Sequence, residues 1–496
     1  MRFIPELLAF PYPVGFDTLH YAAVMKNGVI LPHWTSFFTS TWLLYSLLVP
    51  LYQTFGFDPF MTLKFLGPVL YGLNVAGMYF FARKMLGWTM TVSVLAGAFF
   101  AVQLASLRIS WDLLRNTLGM GILLFTLPLI RQLDSKRGLA LFVVFSLLSV
   151  FAHEYSAVTL LALCIALGLK GLVQGRDRLS RRLILAVLPA FLVFVGGMYL
   201  RLFPVSYESP AVGPSVVWAK DVNPQAFGSF PFFVNYVGIS TAVDFYPSYL
   251  FLVLSVLALF ALLYFSYVYL VWKGFFRNRV LDIWTGLLLI GSFGCLISPF
   301  FALQYWHRWM FMLVYPFTFY AVNGAKVLLD RFPTDRLRSR KFGIVKNKVS
   351  VMILATIFLG AMYLATPVLM VRAGFGIHSL YPICVYFSSS PTVPYQDVDG
   401  TIQAVQWLED NMQDGSCAVL QQAFVSWAGL YFQNSDYVVG YVNDVNLAVN
   451  LALQNGCQHV FFVCWNENVG WYGAYVPESF VELQKFGRIS VFQYVK

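Results

Sequence analysis

The sequence predicts a polytopic α-helical membrane protein that carries a small C-terminal α/β domain on the extracytoplasmic side. Of the 496 residues, 59% are hydrophobic and only 11% are charged, whereas soluble domains carry roughly a quarter charged residues. The apolar residues come in runs of about twenty, the length of helix that crosses a ~30 Å hydrocarbon core. Basic residues gather in the connectors of the first three quarters of the chain, and the last quarter is acidic.

These patterns divide the chain into three segments. Residues 1–59 form an outer segment with helices at the membrane surface, residues 60–371 form a bundle of about ten spans, and residues 372–496 form the extracytoplasmic domain. Water cannot satisfy backbone groups inside lipid, so each apolar run is predicted to be a helix. The predicted spans are Phe60–Phe81, Met90–Leu107, Asn116–Ile130, Leu139–Ala152, Ser156–Gly171, Leu183–Leu202, Pro247–Trp272, Leu281–Phe301, Trp309–Leu329 and Val349–Val371.

Lys and Arg residues give the orientation of the bundle. Five alternate connectors hold 21 of the 29 basic residues that precede Arg372, and the positive-inside rule places these connectors in the cytoplasm. Residues 1–371 carry 29 basic and 13 acidic side chains, whereas residues 372–496 carry 4 and 10. The net charge of +10 is therefore a signal of topology and lipid contact, and it does not indicate a nucleic-acid partner. The basic connectors are 83–84, 131–137, 170–182, 273–279 and 326–348.

A further apolar run at Thr35–Phe55 admits two interpretations. As a full span it leaves the N-terminus in the cytoplasm, and as a helix on the outer leaflet it leaves residues 1–59 outside. Residues 1–34 contain several prolines and no basic cluster, which favours the second interpretation. We therefore expect a first membrane helix upstream of residue 1.

The C-terminal segment alternates between helical and strand periodicity. This alternation, with apolar strands, predicts a mainly parallel sheet covered by helices, and Gly456 is expected to end the third helix. No phosphate-binding or nucleophile motif occurs, so we expect a binding or covering domain, with the aromatic loop Trp465–Tyr472 as a carbohydrate- or partner-contacting surface. Cys457 and Cys464 could pair, although buried free thiols are favoured. The predicted helices are Thr401–Met412, Phe424–Phe432, Val445–Gln454 and Pro477–Phe486, and the predicted strands are Ser416–Gln421, Tyr437–Tyr441, His459–Trp465 and Ile489–Val495.

Ionisable residues at membrane depth are candidates for function, because polarity there is expensive. Four such groups lie on the outer side of the predicted topology, and together they describe an acid–base site beside a phosphate-binding arginine. They are Asp17 with His20 and Tyr21 in a bent aromatic segment, Arg108, Asp112 and Arg115 between two spans, His153 and Glu154 in a very short connector, and His307 and Arg308 at the mouth of another span.

Each group also has a purely structural interpretation. Asp17 could cap a helix, and Asp112 could pair with Arg108 or Arg115 on one helical face. His153 and Glu154 could mark the membrane boundary, and Arg308 could extend to lipid headgroups.

The order of these motifs resembles the membrane-embedded glycosyltransferases of the GT-C class, especially archaeal and bacterial relatives of protein mannosyltransferases and aminoarabinose transferases. The resemblance lies in the order of motifs and spans along residues 1 to about 371. It favours an outer-surface helix at Trp34–Phe55. It departs from the class in two respects: the first span is absent, and Leu113-Leu114 stands where a second acid would follow Asp112. The matching elements are Gly15–Tyr21 for the acidic-aromatic motif of the first outer loop, Asp112 for the second acid, and Arg308-Trp309 with Pro316 for the late span.

The resemblance implies transfer of a sugar from a polyprenyl (di)phosphate to a protein or glycan acceptor of the cell envelope, without a cofactor. Asp17 would be the general base, and Arg308, with Arg115 or His307, would stabilise the departing phosphate. Asp112, His153 and Glu154 would hold sugar hydroxyls or tune Asp17, and His20, Tyr21 and Arg108 would complete the substrate site. A metal-dependent mechanism is not supported, because no second acid adjoins Asp112.

Two other classes of protein stay open. A transporter should show repeated or interrupted spans, and the sequence shows neither. A non-catalytic membrane scaffold, derived from such a transferase, would tolerate the loss of Asp17.

Overall fold

The structure is a computed structural model that describes most of the chain. Residues 367–371 of the predicted span Val349–Val371 and residues 469–472 of the predicted aromatic loop lie outside the described residues. The structure describes residues 1–28, 30–31, 34–175, 177–202, 215–219, 233–234, 242–303, 305–330, 340–366, 392–432, 437–442, 444–468 and 475–495.

Short helices form the N-terminal segment. They are α1 (Phe3–Leu8), α2 (Thr18–Asn27), α3 (Ser36–Thr39) and α4 (Leu43–Phe55). α4 has 13 residues, which at 1.5 Å per residue extend about 20 Å and do not cross a ~30 Å core. The run at residues 35–55 is therefore two short helices and not a full span.

Each of the ten predicted apolar runs contains helix. Within the described residues, six helices are long and apolar enough to cross a membrane, or seven if one bent pair is counted as a single span. The other three predicted runs also form helices, at Leu114–Leu129, Lys136–Ala152 and Ala242–Tyr264. The bundle helices are α5 (Pro59–Lys84), α6 (Met90–Ala101), α7 (Leu104–Asp112), α8 (Leu114–Leu129), α9 (Lys136–Ala152), α10 (Glu154–Val173), α11 (Asp177–Leu202), α12 (Ala242–Tyr264), α13 (Val268–Lys273), α14 (Arg279–Ile297), α15 (Trp306–Met312), α16 (Val314–Asp330) and α17 (Arg340–Leu364).

The bent pair is α6 and α7, whose axes differ by 63°. At the break, the buried Gln103 side chain donates to the Phe99 carbonyl at 3.2 Å and to Thr318 Oγ1 at 2.7 Å. These bonds replace part of the helical ladder, as irregular backbone at membrane depth requires. The predicted span Met90–Leu107 is thus interrupted, and residues 108–112, which were expected to lie between two spans, belong to the buried helix α7.

The C-terminal domain is a six-stranded sheet with strand order β1-β5-β4-β6-β8-β7. β1, β5, β4 and β6 run parallel, as predicted, and β8 and β7 are antiparallel. β1 comes from the long connector of the bundle, which the sequence did not indicate. The described strands are β1 (Ser215–Trp218), β2 (Phe233–Val234) and β3 (Ala302–Leu303), which pair with each other outside this sheet, β4 (Ser416–Gln421), β5 (Tyr437–Tyr441), β6 (His459–Trp465), β7 (Phe480–Phe486) and β8 (Ile489–Tyr494).

The other elements of this domain test the remaining predictions. Three helices, α18 (Val398–Asn411), α19 (Gln422–Tyr431) and α20 (Val445–Gln454), match the predicted ones closely. Gly456 adopts φ 83° after α20, as expected of a residue that ends a helix. The predicted helix Pro477–Phe486 is wrong, because β7 pairs with β8 across the left-handed Gly487 and pairing partners override local helix propensity.

One disulfide joins Cys417 to Cys457, with Cα atoms 5.8 Å apart. The possible pairing of Cys457 with Cys464 is therefore wrong, and so is the free-thiol interpretation for Cys457. Cys164, Cys295 and Cys464 are buried free thiols.

The domain packs on the bundle through α2. A Cβ atom on Gly429 of α19 would lie 3.3 Å from the Ala23 Cβ of α2, and Lys26 at the end of α2 donates to the Leu430 carbonyl. One hydrophobic cluster includes residues of α2, α4, α5 and the sheet. The helix that begins next to Asp17 is thus held between the C-terminal domain and the bundle.

Candidate functional site

A polar cavity of about 360 Å³ opens where α2 meets the bundle. Seven of the ten predicted site residues line it, although they come from segments up to 291 positions apart in the chain. Asp112, Arg108 and His307 are not on its wall, and three lining residues were not predicted: Tyr155, Arg201 and Tyr305. The ten lining residues are Asp17, His20, Tyr21, Arg115, His153, Glu154, Tyr155, Arg201, Tyr305 and Arg308.

Asp17 immediately precedes α2, but its carboxylate makes no capping hydrogen bond. Instead, Asp17 Oδ2 lies 3.9 Å from an Arg308 guanidinium nitrogen, and 33% of the Asp17 side chain remains accessible. Burial, and next the carboxylate of Asp112, raise the pKa of Asp17 to about 6, and Arg308, Arg115 and Arg108 oppose this rise. The structure therefore gives no support to the helix-cap interpretation, and it presents a carboxylate that changes charge near neutral pH.

Asp112 forms a buried ion pair with Arg108 one helical turn earlier on α7. A second contact joins Arg108 Nη2 to Asp112 Oδ2 at 3.3 Å. This is the pairing that the sequence allowed as an alternative, because residues four apart share one helical face. Asp112 and Arg108 therefore do not line the cavity. Asp112 acts on Asp17 through its electric field, which is one of the two roles that the resemblance implies for it.

Gly15 lets these two acidic segments approach each other. Its φ is 100°, and a Cβ atom there would lie 2.5 Å from the Asp112 Cβ and 3.0 Å from the Trp111 carbonyl oxygen. Only glycine adopts such a backbone without strain and leaves this space free. The loop before Asp17 therefore packs directly on the end of α7.

Three arginines supply the positive charge of the cavity. The Arg308 guanidinium lies 4.6 Å from the Tyr305 ring centre, and Tyr305 has a left-handed φ of 56°, a strained backbone of the kind found at functional sites. Arg115 donates to Thr41 Oγ1 at 2.9 Å. Arg201 Nε donates to the Thr39 carbonyl at 2.7 Å.

Arg201 was missed because it lies within the last turn of a predicted span. Its guanidinium pairs with Glu154 Oε1 at 2.8 Å. A basic residue at the outer end of an otherwise apolar run departs from the positive-inside rule, and this departure is the signal that could have identified it.

The two histidines on the wall are suited to hydrogen bonding. Desolvation by the surrounding protein, and then the nearby Arg115, lower the pKa of His20 to about 4, so its ring is neutral at neutral pH. His153 Nδ1 accepts the Tyr155 backbone N–H at 3.2 Å, which leaves Nε2 as the protonated nitrogen, 4.0 Å from Glu154 Oε2. His307 lies off the wall, with its ring centre 6.0 Å from that of Phe311.

The cavity therefore combines three guanidinium groups, two carboxylates and several neutral hydrogen-bonding rings. Guanidinium groups recognise phosphate oxygens through paired N–H donors, and a carboxylate with a pKa near 6 is suited to accept a proton. A second cavity, about 490 Å³ and apolar, lies between α6, α13, α16 and α17, with Lys326 and Asp330 among its lining residues.

The fold is similar to that of a solved GT-C transferase. The structure of ArnT from Cupriavidus metallidurans in the apo state shares 13% identity over 99% of this chain and 96% of that chain, with a TM-score of 0.50. The structure of the same protein bound to undecaprenyl phosphate shares 12% identity over 99% and 97%, with a TM-score of 0.46. No protein-family model and no curated protein match the sequence.

ArnT is a GT-C aminoarabinose transferase. This chain thus has a GT-C-like fold, a helical bundle with a small C-terminal sheet domain, and the predicted fold class is confirmed. At 13% identity the likeness concerns the fold alone. The helices that are long and apolar enough to cross a membrane, together with this fold, indicate a multi-pass membrane protein.

Proposed function

We propose that this protein is a glycosyltransferase that moves a sugar from a polyprenyl-phosphate donor to a protein or glycan acceptor on the outer side of the membrane. The observation that carries the proposal is the Asp17 carboxylate, which faces Arg308 at 3.9 Å inside a cavity shared with Arg115 and Arg201. The GT-C-like fold supports the lipid-linked donor at the level of fold.

The arginines act on the donor. Cleavage of the bond between the anomeric carbon and the phosphate oxygen leaves the electron pair on the phosphate, whose negative charge grows in the transition state. Arg308 and Arg115 stabilise this charge, because preorganised cations in a water-poor cavity interact strongly with it. In this proposal the arginine side chains neutralise the charge of the departing phosphate, and no cofactor or metal is included.

Asp17 acts on the acceptor. As an acceptor hydroxyl or amine forms its bond to the anomeric carbon, it loses a proton, and Asp17 takes that proton as general base. Arg308 holds the Asp17 carboxylate beside the departing phosphate. The proton from the acceptor and the electron pair on the phosphate are then both accounted for within one cavity.

The remaining wall residues bind the sugar. His153 is buried and His20 is exposed, and both offer neutral rings that can donate and accept hydrogen bonds. The ring of Tyr21 offers a flat apolar face. Glu154, held by Arg201 at 2.8 Å, accepts hydrogen bonds from sugar hydroxyls.

Two observations support an extracytoplasmic C-terminal domain. The basic connectors lie at the opposite ends of the bundle helices, and the Cys417–Cys457 disulfide is typical of an oxidising compartment. We expect a cysteine introduced at the exposed Ser479 to react with a membrane-impermeant maleimide in intact cells, and one at the exposed Lys136 to react only after lysis. Labelling of the Lys136→Cys protein from outside would reverse the proposed topology.

The function is tested by the pH dependence of transfer. The purified protein is supplied with undecaprenyl-phosphate-linked hexoses and pentoses and with cell-envelope acceptors, and release of undecaprenyl phosphate is measured. Asp17 must be deprotonated to accept a proton, so the rate should be constant well above pH 6 and fall about tenfold per pH unit below it. No release from any donor, or a rate that does not fall below pH 6, would refute the proposal.

A further inference from the structure

A buried ionic cluster lies outside the cavity wall. It consists of Arg2, Glu6 and Lys64, whose exposed fractions are 3%, 4% and 5%. Arg2 Nη1 lies 2.7 Å from Glu6 Oε1, and Lys64 Nζ lies 3.5 Å from Glu6 Oε2 and donates to the Glu6 carbonyl at 2.6 Å. Burying three charges is costly, and replacing such groups by apolar side chains is often neutral or stabilising. Stability alone is therefore a weak reason for this cluster.

One end of the cluster holds the segment of Asp112. The Arg2 side chain donates to Ser110 Oγ at 3.1 Å, to the Ser110 carbonyl at 3.2 Å and to the Trp111 carbonyl at 3.4 Å. These carbonyls belong to the last turn of α7, where carbonyl groups lack helical partners and a cation is favourable. Arg2 thus fixes the backbone directly before Asp112.

The other end holds the segment of Asp17. Glu6 Oε2 accepts the Val14 N–H at 3.4 Å, three residues before Asp17. The next residue, Gly15, packs on Asp112 itself. These contacts form a closed loop. Glu6 binds the segment before Asp17 and pairs with Arg2. Arg2 binds the segment before Asp112, which in turn packs against Gly15.

We propose that Arg2, Glu6 and Lys64 form a positioning cluster that sets the separation between the Asp17 and Asp112 carboxylates. This inference rests on the proposed function, in which Asp17 is the general base. None of the three residues touches substrate; they act through the backbone of the two acidic segments. Burial is the largest cause of the raised pKa of Asp17, and the Asp112 carboxylate is the next. By setting the distance between the two acids, the cluster therefore influences how readily Asp17 gains and loses its proton.

The test variant is Arg2→Lys. Lysine keeps the positive charge beside Glu6, but its single ammonium group lacks the planar fork that reaches Ser110 and Trp111 together. The two acids should then move apart and Asp17 should gain water, and both changes lower its pKa. We expect the acid limb of the pH–rate profile to move below pH 6 and kcat to fall by ~10–10²-fold with KM unchanged.

Other charged and titratable groups around Asp17 could also move the acid limb of the pH–rate profile. The same profile is therefore recorded for Arg83→Lys, a matched control in which an arginine donates to the Trp88 carbonyl far from the cavity. The groups near Asp17 are Arg308, Arg115, Arg108 and Asp112, with His20, Tyr21, His153 and Glu154 on the same cavity wall or beside it.

A second variant in the same cluster keeps the test decisive if Arg2→Lys fails to fold. Glu6→Asp keeps the negative charge but shortens the side chain by one methylene, which withdraws it from the Val14 N–H, so it should shift the acid limb in the same direction. The titration of Asp17 is also followed by infrared difference spectroscopy against the Asp17→Asn protein, a readout that needs no transfer. Wild-type titration of Asp17 in both cluster variants, or only a reduced yield of otherwise normal protein, would overturn the inference. If the Asp17 titration shifts in the cluster variants while the wild-type protein releases undecaprenyl phosphate from no donor, the positioning cluster stands and the proposed function fails.

Discussion

Asp17→Asn is expected to lower sugar transfer by ~10²–10⁴-fold, the usual contribution of a general base. Asparagine keeps the size and hydrogen-bonding shape of aspartate but cannot accept the proton of the acceptor. Binding of a polyprenyl phosphate should remain, because the arginines of the cavity are unchanged. Transfer rate and binding are measured on protein purified to equal amounts.

Asp414→Asn is the matched control, because Asp414 is exposed in the C-terminal domain and far from the cavity wall. It should transfer at the wild-type rate. If Asp17 merely ended the loop before α2, asparagine would serve equally well, since it is as good a capping residue. Normal turnover of the Asp17→Asn protein would therefore eliminate the mechanism and leave the fold intact.

Arg308→Ala is expected to weaken both donor binding and transfer. A charge-assisted hydrogen bond to phosphate contributes roughly 1.5–3 kcal/mol, which corresponds to a ~10–10²-fold weaker Kd for a polyprenyl phosphate. The rate should fall further than binding, because the phosphate charge is largest in the transition state. Loss of this cation also removes an influence that lowers the pKa of Asp17, so the acid limb should move above pH 6.

Two further variants serve as controls for the Arg308→Ala prediction. Arg308→Lys keeps a charge but not the paired N–H donors, so it should recover part of the binding. Arg277→Ala removes an exposed arginine outside the cavity and should behave as wild type. Unchanged donor affinity in Arg308→Ala, with an unmoved acid limb, would show that Arg308 serves only to anchor the helix to lipid headgroups.

The sequence predicted much of the candidate site because polar residues at membrane depth are rare. Asp17, Arg115, Glu154 and Arg308 stand out against long apolar runs, and charge asymmetry placed them at the same face of the bundle. What the sequence could not show was which charges are already paired. Asp112 and Arg108 neutralise each other within one turn of α7, whereas Arg201, hidden at the end of a span, reaches the cavity and Glu154.

The structure also changed the expected local elements. The predicted helix at residues 477–486 is a strand, because its pairing partner β8 follows across a left-handed glycine. The predicted span at residues 90–107 is interrupted and bent, and at the break Gln103 has a partner in Thr318, 215 positions away. Neither partner is visible in the periodicity of the segment concerned.

By itself, then, the amino-acid sequence determined the class of the protein, the position of its helices, the charge asymmetry between its two ends and most of the polar residues of the cavity. These depend on transfer of side chains between water and lipid and on local periodicity, which act over a few neighbouring residues. Only the tertiary structure decided that Asp17 faces Arg308, that Asp112 is paired, that Cys417 bonds to Cys457 and that Arg2 and Glu6 connect the two acidic segments. Each of these is a contact between residues distant in sequence or a choice among competing partners, and it forms only when the helices have packed.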